Sequence, residues 1–108
     1  MGILLMVVEM LENKTIEIFE RFGPIVGPRS HAAQLREEIL GSLGSGLVTI
    51  LDFQNVETLN ASFSDELIAK LVVELGLEKF GETVKIINAS DSIKSVVNFV
   101  VDSRLKQL

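Results

Sequence analysis

LVTILDFQNVETLNASFSDELIAKLVVELG, residues 47–76, sets an apolar run of strand length ahead of a polar loop and a long amphipathic segment. LVTILDF is continuously apolar up to Asp52, the pattern of a strand covered on both faces. After QNVETLNA, Phe63, Leu67, Leu71 and Leu75 recur every fourth residue, and Ile68 and Val72 widen the stripe. That spacing predicts a helix with one buried face, ended by Gly76. TVKIIN, residues 83–88, supplies a second strand. A strand, a helix and a further strand predict a right-handed crossover between neighbouring parallel strands.

Outward from this unit, residues 91–105, DSIKSVVNFVVDSRL, place Ile93, Val96, Val97, Val100, Val101 and Leu105 at helical spacing. Their β-branched side chains weaken intrinsic helicity, so burial must hold that helix. Upstream, Ala32, Leu35, Ile39 and Leu43 predict another helix, with Ser30 as its N-cap and GSLGSG as its stop. FGPIVGP, residues 22–28, reads as an irregular loop because prolines and glycines disrupt both sheets and helices. Residues 3–10 and 15–21 read as a hairpin with Asn13 in its turn, burying Ile16, Ile18 and Phe22 and exposing Glu17 and Glu20. The expected fold is an α/β sandwich: an N-terminal hairpin, then alternating strands and helices, forming a mixed sheet backed by about three helices.

The 108 residues suit one domain, 1–108, with 47% hydrophobic and 23% charged residues. A net charge of −5 opposes nucleic-acid binding, which needs clustered cations to displace counterions. All six aromatics are Phe, and there is no cysteine and one histidine, so neither a stacking platform nor a thiol site is expected. No metal or other cofactor is expected. The apolar start GILLMVV is shorter than the roughly 20 residues of a membrane span and lacks a signal peptide's basic region. A cytoplasmic protein with no membrane contact is expected, its first residues forming an ordered strand whose open edge would permit a homodimer.

Chemistry-bearing residues are few. Ser62 and Asp65 fit the capping box S-x-x-D, in which the hydroxyl caps a helix amide and the acid bonds back. The same helix start would accept a phosphate on Ser62. Asp52 ends the central strand, where ligands of open α/β sheets gather, and also suits a turn that binds the backbone of Gln54 or Asn55. Arg29, Asp52 and Asn88 are candidate ligand or anion contacts near the carboxyl edge. His31 is expected to be solvated, as are the acid pairs Glu37–Glu38 and Asp65–Glu66. GSLGSG has no lysine and precedes a strand, so it is no phosphate cradle. No catalytic constellation emerges, and no enzymatic activity is expected.

PRSHAAQL, VTILDFQNVETLNASFSDELIAKL and VKIINASDSIKSVV together resemble the STAS-like domain of unknown function, over about residues 14–105. That family is similar to the STAS domains of sulphate transporters and anti-sigma-factor antagonists. The resemblance implies a STAS-like sandwich and regulation through protein contacts, including a partner of the histidine-kinase-type ATPase class. In anti-sigma-factor antagonists the phosphorylated serine lies in an Asp-Ser-Ser/Thr-Gly stretch. Here Asn60-Ala61-Ser62-Phe63 occupies that place, with Asn60 for the acid and Phe63 for the glycine. Ser62 is thereby the candidate phosphoacceptor, and Glu57, Asn60, Ser62, Ser64 and Asp65 the candidate interaction surface. The alternative is a small-ligand or nucleotide sensor at the carboxyl edge.

Overall fold

The computed structural model describes residues 13–108. A parallel sheet runs β1 (Asn13–Glu17), β3 (Val48–Asp52) and β5 (Val84–Ile87), in the order β1-β3-β5. A parallel pair joins β2 (Ile25–Val26) to β4 (Thr58–Leu59). The helices are α1 (Ile18–Phe22), α2 (Arg29–Gly44), α3 (Ala61–Ser64), α4 (Lys70–Leu75), α5 (Leu77–Thr83) and α6 (Asp91–Leu105). A π-helical turn, Asp65–Ala69, joins α3 to α4, making one helical rod over 61–75.

The α/β class and the strand–helix–strand unit are as expected, but several details differ. Both described sheets are parallel, and the antiparallel member of the expected mixed sheet would come from residues 3–10. The first strand of the expected hairpin, residues 3–10, lies outside the described residues. In the described half, Asn13 pairs with Val48 within β1 instead of turning the chain. That strand ends at Glu17 and gives way to helix α1, in which Ile18 is buried and Phe22 packs on the core one turn later. Gly23, at φ 79°, closes the turn with its amide on the Phe19 carbonyl at 2.8 Å. The FGPIVGP segment does enter a sheet. The Pro24 carbonyl, just ahead of β2, accepts from the amides of Glu57 (2.8 Å) and Thr58 (3.0 Å), a role that needs no N–H. Helix α2 begins at Arg29 with Pro28 as its N-cap, two residues ahead of the expected cap at Ser30. Helix α5 carried no buried periodicity to reveal it, and none of its residues is fully buried.

The core lies between the sheet and the helices. Ile16, Leu51 and Val84 from the strands meet Leu35 and Ile39 of α2, Phe63, Leu67 and Leu71 of the rod, and Ile93 of α6. β3 alternates instead of being covered on both faces: Thr49 and Leu51 are sealed, while Val48, Ile50 and Asp52 are half-buried. On β5 the outward Lys85 and Ile87 are exposed, so the sheet's second face is open in part.

The rod ends at Gly76, whose φ of 86° and ψ of 152° belong to a region almost reserved for glycine. A Cβ there would meet nothing within 4 Å, so substitution strains only the backbone. Gly76→Ala is therefore expected to cost about 1–3 kcal/mol, read as a lower denaturant midpoint at unchanged slope.

Candidate functional site

The chain enters the rod under tight control. The Asn60 amide donates to the Val26 carbonyl at 2.8 Å, tying the helix start to the FGPIVGP segment. Asn60 Oδ1 then accepts the Ser62 amide at 2.7 Å, which makes Asn60 the N-cap. Ser62 stands one residue inside the helix, exposed, and Asp65 does not bond back to it. The capping box is thus overturned: the N-cap is an asparagine two residues upstream, and its side-chain carbonyl takes the amide of Ser62 itself.

Four residues further on, a cluster of charges joins the helices. The Asp65 carboxylate receives both arms of Arg104 from α6, Nε on Oδ1 and Nη2 on Oδ2, each at 2.7 Å. Arg29 Nη1 of α2 bridges Asp65 Oδ2 at 3.2 Å and Glu66 Oε1 at 2.9 Å. Glu66 also takes Arg36 Nη1 on Oε2 at 2.5 Å and Lys70 Nζ on Oε1 at 2.8 Å. Arg36 further donates to the Glu66 carbonyl. Far from forming a solvated acid pair, Glu66 is only 6% exposed. Arg29, Arg36 and Lys70 close over it, and it lies within a π turn in which the Lys70 amide reaches the Asp65 carbonyl five residues back. The wider turn inserts one residue into the helical repeat. Sequence periodicity has no signal for that insertion. Ser64, expected on the interaction surface, is fully buried because it shares the core-facing stripe with Leu67 and Ile68.

Two acids facing four cations leave two positive charges in excess, inside a chain of net charge −5. Lys70 and then Arg36, by hydrogen bonding, pull the Glu66 carboxyl from 4.5 down to about 2, against the opposing effect of burial. The Arg104 hydrogen bond chiefly holds Asp65 below its ordinary value.

Beside the cluster, Arg29, Ala61, Ser62, Asp65, Phe99, Val100 and Ser103 line an open cleft of about 230 Å³. Phe99 of α6 is 69% exposed. Sequence reading assigned it to no role. Glu57 is exposed on the approach to the rod.

The carboxyl edge assembles differently. Asp52 Oδ1 accepts from the Gln54 amide at 2.9 Å, the turn expected of it, and from Asn88 Nδ2 at 3.0 Å. Asn88 takes a left-handed φ of 57°, a conformation asparagine tolerates. Arg29 belongs to the helical cluster, so the candidate set Asp52, Arg29 and Asn88 is not brought together. His31, expected to be solvated, is exposed but stacks on Phe22 with ring centroids 5.5 Å apart. Among the described residues no group of three His, Cys, Asp or Glu side chains could hold a metal ion. Nor is any described helix long and apolar enough to cross a membrane.

Two outcomes follow. Asn60→Ala should destabilise by about 1 kcal/mol, and Ser62→Ala by far less, since only the first removes a cap; urea midpoints of the two variants check this. The folded value of Glu66 lies below the unfolded one, so its stabilisation is complete above about pH 5 and is lost as pH falls toward 2. It is on the order of 3 kcal/mol. The thermal midpoint should hold from pH 7 to 5 and then drop, with a shallower drop in Glu66→Gln.

The match of known proteins to this geometry is at the level of family. No curated protein and no solved structure matches the chain significantly. A family profile described as a STAS-like domain of unknown function matches residues 31–94. That span runs from α2 through the capped rod to the start of α6, more than half of the chain, and the chain belongs to this STAS-like family.

Proposed function

We propose that this domain is a non-catalytic regulatory module that docks a protein partner over the cleft beside Ser62, with phosphorylation of Ser62 as its switch. The observation that carries the reading is the grouping of an exposed hydroxyl, an exposed phenyl ring and a half-exposed guanidinium, those of Ser62, Phe99 and Arg29. An aromatic anchor beside an arginine is the composition of an interface hot spot. Glu57 and Asn60 flank it on the approach to the rod, and Asp65 holds Arg29 in place. A partner of the histidine-kinase-type ATPase class fits the family resemblance.

A phosphate on Ser62 would add about −1.5 to −2 charge at neutral pH. The two excess positive charges of the neighbouring cluster are suited to absorb it without unfolding the rod. Arg29 is the cation best able to turn toward it, since Asp65 keeps Arg104 and Glu66 keeps Arg36 and Lys70. A partner using Arg29 would then lose its contact, so the switch weakens binding.

The test takes the partner that copurifies with the wild-type protein and measures its affinity for Ser62→Asp and Phe99→Ala. Each variant is expected to bind at least tenfold more weakly, about 1.4 kcal/mol, with unchanged circular dichroism. The Ser62→Asp effect should shrink in high salt, where charge is screened. Wild-type affinity of Ser62→Asp at low salt would defeat the switch, and wild-type affinity of Phe99→Ala would defeat the surface.

A further inference from the structure

On the other flank of α6 from Phe99, a groove of about 440 Å³ opens between that helix and β5. Ile86, Ala89 and Val97 are its apolar lining, and Asn88, Lys94 and Asn98 its polar lining. β5 is the last strand of its sheet, with β3 as its one neighbour among the described residues. The Phe53 amide donates to the Ile87 carbonyl at 3.0 Å, so Ile87 turns its main chain toward β3. Main-chain direction alternates along a strand, which turns the N–H and C=O of Ile86 to the open side. The groove therefore combines a stretch of strand edge that is unpaired among the described residues, an apolar floor and a helix wall.

The edge selects the kind of occupant. A compact ligand would fill the floor and leave the Ile86 N–H and C=O unused, whereas an extended peptide can bond both while seating alternate side chains against Ala89 and Val97. The wall selects its charge. Lys94 is the one ionic side chain lining the groove and has no ion-pair partner among the described residues. Asn88 and Asn98 supply neutral amide groups to the same lining. We propose that this groove binds an extended peptide segment by strand addition to Ile86, with an apolar side chain on the Ile86–Val97 floor and an acidic side chain at Lys94. The site is independent of the Ser62 surface, because Lys94, Val97 and Asn98 lie on one flank of α6 and Phe99 and Ser103 on the other.

The experiment pans a displayed library of random linear octapeptides against the full chain. It then titrates the enriched sequence, made synthetically with blocked ends, into isotope-labelled protein. The selected peptides are expected to carry Asp or Glu next to or two residues from an aliphatic residue. Binding should slow hydrogen exchange of the Ile86 amide and shift the resonances of Val97 and Asn98. Lys94→Glu should weaken it at least tenfold, and Lys94→Arg by less than threefold, both variants being checked for folding by circular dichroism. Four results would each overturn the proposal: no enriched sequence, an Ile86 amide exchanging as in the free protein, equal affinity in Lys94→Glu, or equal binding of blocked glutamate alone. Shifts confined to Phe99 and Ser103 would overturn it too, while supporting the Ser62 surface.

Discussion

The buried carboxylate of Glu66 is the point on which the helical layer turns. It takes cations from α2 and from its own rod, while neighbouring Asp65 takes one from α6, so two consecutive acids tie three helices together. Removing a carboxylate from water costs several kcal/mol, which only close, multiple hydrogen bonds can offset. Here they do so, since the carboxyl is held down near 2 despite burial. The same ion set fixes orientation in a way that apolar contacts alone do not. Leu35, Leu67 and Ile93 would tolerate small slides, but a bidentate arginine on Asp65 fixes both distance and rotation.

That clamp includes an irregular turn. The rod over 61–75 carries both the apolar stripe of Phe63, Leu67 and Leu71 and the ion-paired Glu66. The π turn at Asp65–Ala69 lies where the two meet. It also sits just inside the exposed helix start, so the positive excess of the cluster lies against the Ser62 cleft. The FGPIVGP segment completes the frame by holding Glu57, Thr58 and Asn60 through three main-chain bonds. Stability and the candidate interaction surface thus share one set of charges.

α6 serves two surfaces because only part of its circumference is committed to the core. Ile93 and Val100 are buried, and the residues to either side face different clefts. The apolar count of this helix exceeds what its buried face needs. Phe99, the exposed member of that surplus, stands beside the one serine that family resemblance singles out.

Hydrophobic periodicity by itself determined the α/β class, helix α2, the core faces of the rod and α6, and the central strand, because spacing at two or at three and four residues is a property of the chain. Local chemistry likewise determined the Asp52 turn and the helix stop before Gly46. Only the tertiary structure decided that Asn60 and not Ser62 caps the rod, that Ser64 and Glu66 are buried, that the proline-rich segment enters a sheet, and that Arg29 lies with Glu66 instead of Asp52. The last two and the burial of Glu66 depend on partners 30 or more residues away in sequence. The cap depends on an Asn60 backbone that the Val26 carbonyl 34 residues upstream holds in place, and the burial of Ser64 on which face of the rod the layers close over. Local pattern carries no record of such partners, whose choice is settled by which charges and carbonyls meet when the layers close.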